Sequence, residues 1–296
     1  MTTTLRMRSR MAAIALATVA AAGGAMAASA GPAAAATPTY DIVQSFTTST
    51  VSSSKTATAT CPTNEVVLGT GVEQGADGQV AVESLVPSKT KVTAYAHVDE
   101  DGYTKSWELG VWAVCGALPP NYSIQSGVSP SSTTSATATA NCPSPTVALG
   151  TGWSTAPSPA DDGQVIVGTV QPYGRITSAI DTVAVSAWPD QNGTSKPWTA
   201  TAYAVCGSGI TGLHRVDSSG PTGSTQWQGA ITNCPSGEYV TGGGFAGGSS
   251  QVVLHSMAPF FNSSSGIHGL DTLMSEDEDG YSGNWTQTGY ALCAKL

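Results

Sequence analysis

Six cysteines, four histidines and two acidic turns are the residues of this chain whose types could do chemistry. Cys61, Cys115, Cys142, Cys206, Cys234 and Cys293 offer thiols for disulfides or for a metal. No C-x2-C spacing occurs, so a thiolate metal site lacks its usual frame and disulfides are expected. Asp99, Asp101, Asp277, Glu278 and Asp279 crowd two short turns. A hard cation such as Ca2+ wants several oxygens of this kind, which makes Asp99, Asp101, Asp277 and Asp279 candidate metal ligands. The stretch is too short for an EF-hand loop, and Asn192 replaces the second aspartate of the related turn at Asp190. A solvated hairpin turn is therefore the simpler expectation, and no other cofactor is expected. His97, His214, His255 and His268 could act as bases. No G-x-S-x-G elbow or other nucleophile signature accompanies them, so no catalytic residue is assigned.

These residues belong to a repeat. CPTNEVVLGTGV from Cys61, CPSPTVALGTGW from Cys142 and CPSGEYVTGGGF from Cys234 align without gaps. QVAVESLVP from Gln79, QVIVGTVQP from Gln164 and QVVLHSMAP from Gln251 follow. DEDGYTKSWELGVWAVC from Asp99, DQNGTSKPWTATAYAVC from Asp190 and DEDGYSGNWTQTGYALC from Asp277 close each unit. Three blocks in one order, three times over, define repeats over residues 37–118, 119–209 and 210–296. The repeat prunes the disulfide pairings to two. One is in-repeat, Cys61–Cys115, Cys142–Cys206 and Cys234–Cys293, and is the expected one. The other is shifted, Cys115–Cys142, Cys206–Cys234 and Cys61–Cys293, and would close a ring.

The period inside the blocks is two, the strand signature. Trp107, Leu109, Val111, Ala113 and Cys115 share one face, and Ala136, Ala138 and Ala140 alternate with Thr137 and Thr139. No window of helical period stands out. The expected fold is all-β, three tandem repeats of five to six strands. They form either one pseudo-threefold, β-prism-like body with one sheet per repeat or three small β-sandwiches in series. The short links Ala117–Asn121 and Gly207–Gly212 favour the single body.

Trp107, Trp198 and Trp285 share strand faces with their cysteines, so core packing is expected of them rather than ligand stacking. Trp153, Trp227, Tyr103 and Tyr281 are less tied to the repeat and are the candidate exposed ligand contacts. The paired glycines at Gly69, Gly150 and Gly242 lack the lysine and helix of a phosphate loop, so a bulge or close strand approach is expected.

The N-terminus carries Arg6, Arg8 and Arg10, then an apolar run, then A-x-A patterns near Ala27 and Ala36. Residues 1–36 read as a secretory signal with its processing region. Without it the chain keeps 8 basic and 20 acidic residues, a net charge of −12. Such acidity argues against nucleic acid and anionic lipid as partners. No later apolar run spans a bilayer, so no membrane contact is expected after cleavage.

The Cys-Pro-x6-Gly-x-Gly block closed by an aromatic-Ala-Val-Cys strand resembles secreted actinobacterial proteins with tandem paired-cysteine β repeats. The resemblance covers nearly all the chain beyond residue 36. It implies secretion and a β-rich body and brings no catalytic residues. The expected function is a secreted, non-catalytic binding or surface protein for glycans or a cell-surface polymer. A secreted hydrolase with a cryptic site, tested first at His255, and an extracellular structural component are the alternatives.

Overall fold

The computed structural model describes residues 39–76, 78–156, 163–174 and 179–296. The signal expected over residues 1–36 lies outside them. Repeat 1 forms β1 (Tyr40–Phe46), β2 (Ser54–Thr60), β3 (Glu65–Gln74), β4 (Val80–Pro87), β5 (Lys91–Val98) and β6 (Leu109–Ala117). Repeat 2 forms β7 (Ser123–Val128), β8 (Ala136–Asn141), β9 (Val147–Ala156), β10 (Val165–Tyr173), β11 (Thr182–Pro189) and β12 (Thr199–Gly207). Repeat 3 forms β13 (Thr211–Ser219), β14 (Trp227–Asn233), β15 (Tyr239–Ala246), β16 (Val252–Asn262), β17 (Ile267–Glu276) and β18 (Thr288–Lys295).

The described strands make three antiparallel six-stranded sheets. Their orders are β1-β6-β3-β16-β17-β14, β2-β5-β4-β9-β12-β7 and β13-β18-β15-β10-β11-β8. The expected pseudo-threefold all-β body is therefore present, but the idea of one sheet per repeat is corrected. Each repeat places three strands in one sheet and three in the next. The reason is the repeat's own core. Alanines of β2 and β5 face Trp107 and the inward residues of β6 across it, so the two halves oppose each other and cannot lie in one sheet. Each half instead continues edge-on into a neighbour's half, and the order is cyclic. β4 joins β9, β10 joins β15 and β16 joins β3, each through two residue pairs such as Leu85↔Trp153, Val170↔Phe245 and Met257↔Val72.

Local sequence explains the layers. β2 and β8 alternate alanine inward with threonine outward, as half-buried strands must. β3 is buried along nearly its whole length, because one face meets its own core and the other meets the pseudo-threefold axis. There the glycines eight residues after each first cysteine meet. A Cβ on Gly150 would stand 2.3 Å from the Leu68 carbonyl oxygen and 2.6 Å from Gly69 Cα. One on Gly242 would stand 2.7 Å from Gly150 Cα, and one on Gly69 2.7 Å from Gly242 Cα. Each of these glycines also follows or faces a register shift in its pairing. Both expectations for the glycines hold, the bulge and the close approach. Hydroxyls tie the same layer: Thr70 donates to the Thr151 carbonyl at 2.8 Å, and Thr241 to the Leu149 carbonyl at 2.9 Å.

The second glycines, Gly71, Gly152 and Gly244, face the proline that ends the second block of the preceding repeat. A Cβ there would stand 2.4 Å from Pro259, 2.6 Å from Pro87 and 3.1 Å from Pro172. The recurring Gly and Pro of two separate blocks are thus the two sides of one seam.

The disulfides are Cys61–Cys115, Cys142–Cys206 and Cys234–Cys293, each with Cα atoms 5.6 Å apart. The in-repeat pairing is the one formed, and it staples the two halves of each repeat. Loops of this size stabilise by about 4 kcal/mol on the chain-entropy model. Trp107, Trp198 and Trp285 are 1%, 4% and 5% exposed and share the core with the cystines, as their strand parity requires.

Candidate functional site

β5, β11 and β17 run out at the same end of the body, the apex, into the turns headed by Asp99, Asp190 and Asp277. Each turn is built alike. The aspartate amide donates to the carbonyl of Gln79, Gln164 or Gln251 at 3.0–3.1 Å. Its carboxylate accepts the amide of Gly102, Gly193 or Gly280 at 3.2, 2.9 and 3.0 Å. Those glycines have φ of 80°, 75° and 73°, which explains why Gly recurs three residues after Asp.

The three aspartates line one small cavity of about 10 Å³ whose floor includes Ala81, Ile166 and Val253. It has room for about one water. Asp277 is 6% exposed, and its second carboxylate oxygen has no hydrogen-bond partner among the described residues. The turn tips Glu100, Asp101, Asn192, Glu278 and Asp279 are exposed, whereas the leading aspartates are half-buried or buried, because the pseudo-symmetry draws all three to the axis. Asp101 and Asp279 lie on the outer rim, where Gln191 donates to Asp279 at 2.9 Å. Among the described residues, no three His, Cys, Asp or Glu are gathered so as to hold a metal ion.

Burial and mutual charge raise the pKa values of crowded carboxyl groups. Burial first, then the charges of Glu100 and Asp101, push Asp99 up to about 7, against the opposing pull of the turn amides. Burial pushes Asp190 and Asp277 up to about 6, with neighbouring acids adding to it. A carboxyl with a raised folded-state pKa favours folding while protonated, so its stabilisation is lost as pH rises from the unfolded value through the folded one. The melting temperature is expected to fall between about pH 4 and pH 7. Asp277→Asn keeps the acceptor of the turn and removes the charge. At about pH 8 it should raise stability by about 2 kcal/mol, roughly 4–8 °C in melting temperature, and flatten the pH profile. Thermal melts in EDTA test this, and a wild-type melting temperature that rises with pH over the same range would refute it.

Beside the apex a shallow, wide-open groove of about 610 Å³ lies between repeats 2 and 3. Trp188 and Asp190 line it, with the hydroxyl residues Thr133, Thr134, Ser249 and Ser250. Trp188 is half-buried, and its indole N–H finds no acceptor among the described residues. The ring lies over Gly168, where a Cβ would come within 2.0 Å of it. Gly168 is the bulged residue of β10, and Glu83 and His255 are the bulged residues of β4 and β16. Only the repeat with glycine at the bulge places tryptophan against it. Sequence reasoning passed over Trp188 because it does not recur: His97 and Ser275 hold the matching positions. Its one signal was an aromatic two residues before an acidic turn.

The expected aromatic contacts fare differently. Trp153 is not at the surface: it is 0% exposed and donates to the Val82 carbonyl at 3.1 Å. Its strand runs through the axial layer, where its ring meets Phe245 of repeat 3 at 5.8 Å. Trp227 is half-buried, edge-on to His255 at 4.9 Å. Tyr103 and Tyr281 pack against the core beside the apex, partly exposed.

The histidines are dispersed. His97 lies 2.5 Å from the Val98 carbonyl oxygen, and His214 2.8 Å from that of Gly212 and 3.5 Å from Glu238. His268 sits among Tyr40, Tyr239 and Phe261, and burial lowers its pKa. No known family model matches the chain, and no curated protein is significantly similar to it.

Proposed function

We propose that this is a secreted binding protein that holds a hydroxyl-rich chain, a glycan or related cell-surface polymer, in the groove at Trp188 and Asp190. Three disulfides and the signal-like N-terminus support export, since such bonds persist in oxidising compartments. The observation that carries the reading is the composition of the groove: one aromatic ring, one carboxylate and four hydroxyl residues around about 610 Å³ of open space. Aromatic faces take the apolar C–H face of a sugar ring, and carboxylates and hydroxyls take its hydroxyls. A net charge of −12 without the signal favours a neutral or cationic polymer over an anionic one.

Calorimetric titration of the protein lacking residues 1–36 against neutral and amino-sugar oligosaccharides tests the proposal. Trp188→Ala and Asp190→Asn should each weaken binding by about tenfold or more, equivalent to about 1.4 kcal/mol, with the fold retained. Absence of binding across these oligosaccharides, or binding that both variants leave intact, would refute it.

A further inference from the structure

Arg215 shows what a seam between repeats can hold. It reaches from β13 over the ring of Tyr290, with its guanidinium carbon 4.7 Å from the ring centre. Its Nε and Nη2 donate to Asp217 at 2.7 and 2.9 Å, and its Nη1 crosses the seam and donates to the Pro172 carbonyl at 2.7 Å. The ring and the proline both belong to the repeat. Trp112, Tyr203 and Tyr290 pair with the second glycines Gly71, Gly152 and Gly244. The prolines facing those glycines are Pro259, Pro87 and Pro172. The guanidinium does not recur: Ile42 and Ile124 hold the register positions that match Arg215. One seam carries its own cation, and two do not.

In the sheet β1-β6-β3-β16-β17-β14 the seam carries carboxylates instead. Phe46, Gly110 and Glu73 lie side by side in one row, and Trp112 and Gly71 lie in the next row of the same face. Glu73 pairs with Ser256, and Ala258, two residues on, pairs with Asp271, which puts Asp271 on that face as well. Phe46 is 43% exposed and edge-on to Trp112 at 5.3 Å, and its ring lies over Gly110, the residue between it and Glu73. Neither Glu73 nor Asp271 has a hydrogen-bond or ion-pair partner among the described residues. The six strands of this sheet contain no Lys or Arg. The other two sheets hold Lys55 with Lys91, and Arg215 with Lys295.

We propose that this face is a docking surface for an arginine-bearing peptide segment of a partner protein, whose guanidinium lies against Phe46 and pairs with Glu73. Two observations select that occupant. The seam that holds Arg215 is built from the same repeat positions, and it takes a guanidinium. The carboxylates of this face lack a counter-ion and call for a cation, and the exposed Phe46 and Ile231 suit the apolar side chains that flank one in a peptide. Asp271 adds attraction by its charge. Trp188 lies on a different sheet, so the surface is independent of what the groove binds.

NMR titration of the secreted protein with acetyl-Leu-Arg-Leu amide, and with the same peptide carrying citrulline in place of arginine, tests the proposal. Citrulline keeps the shape of arginine and lacks its charge. The arginine peptide should shift the amides of Phe46, Gly110 and Asp271 saturably, with a Kd of about 1 mM, and the citrulline peptide should bind about tenfold more weakly. Glu73→Gln should weaken the arginine peptide by about threefold and leave the citrulline peptide unchanged. Asp271→Asn, at an exposed position, should weaken it by about twofold. Equal binding of the two peptides, shifts confined to other faces, no saturable shifts, or an arginine affinity that both variants leave unaltered would overturn the proposal. Glucosamine oligosaccharides that shift these amides where the arginine peptide does not would assign the face to an amino-sugar chain and overturn it as well.

Discussion

Gly150→Ala is expected to leave little folded protein. The added methyl would lie 2.3 Å from the Leu68 carbonyl oxygen and 2.6 Å from Gly69 Cα. Both are backbone atoms of another repeat, so no rotamer change can clear them. Relief requires the central strands of repeats 1 and 2 to separate, which would break the hydrogen bonds from Thr70 to the Thr151 carbonyl and from Trp153 to the Val82 carbonyl. Overpacking a core costs about 1–3 kcal/mol where side chains can shift. Here they cannot, and a loss above about 3 kcal/mol is a large share of a total stability of roughly 5–15 kcal/mol. Gly193→Ala is the contrasting variant: no atom lies within 4 Å of its Cβ position, so only the strain of its positive φ, about 1 kcal/mol, is incurred. Secretion yield and thermal melts decide between them. A Gly150→Ala protein as stable as Gly193→Ala would mean that the repeats do not meet on the axis as described.

Trp198→Ala should destabilise by about 3–5 kcal/mol, roughly 10 °C or more in melting temperature, without touching the groove. Trp198 is 4% exposed, and Ala200, Ala202, Ala204 and Cys206 beyond it are 0% exposed. Small alanines leave the ring and the disulfide to fill one core layer, so truncating the ring leaves a cavity that nothing nearby can close. The tryptophans are not equivalent in their polar edge. Trp107 donates to the Ser52 carbonyl at 2.8 Å, whereas the Trp198 N–H is buried without an acceptor among the described residues. Trp198→Phe should therefore cost less than Trp107→Phe, since it removes an orphaned donor rather than a made bond. Ile231→Ala, at a position 61% exposed, should change stability by no more than about 0.5 kcal/mol. Tyr103→Ala is not the neutral control that its place near a turn suggests, because Tyr103 packs against the core. Chemical denaturation of Trp198→Ala, Trp198→Phe, Trp107→Phe and Ile231→Ala tests the order. Wild-type stability in Trp198→Ala would refute the core assignment.

By itself the sequence determined what is local. Alternation of Ala with Thr and the parity of Trp107 with Cys115 state which face of a strand is buried, since side chains in a strand alternate. Asp followed three residues on by Gly states a turn. The recurrence of two cysteines in the same blocks of each repeat limited the disulfides to two sets. None of these patterns says which strand lies alongside which. Only the tertiary structure decided that each repeat is split between two sheets, because the seams Leu85↔Trp153, Val170↔Phe245 and Met257↔Val72 pair residues far apart in the chain. The one sequence trace of this was the loss of alternation in EVVLGTGV, as expected of a strand buried on both faces. Trp153 read as a surface aromatic because its repeat partners are Val72 and Phe245, and nothing in the chain marks the axis on which they meet. The apex has the same origin. Three aspartates, each unremarkable in its own turn, become a proton-holding cluster because the cyclic order of the sheets brings them to one point, where burial and mutual charge act together.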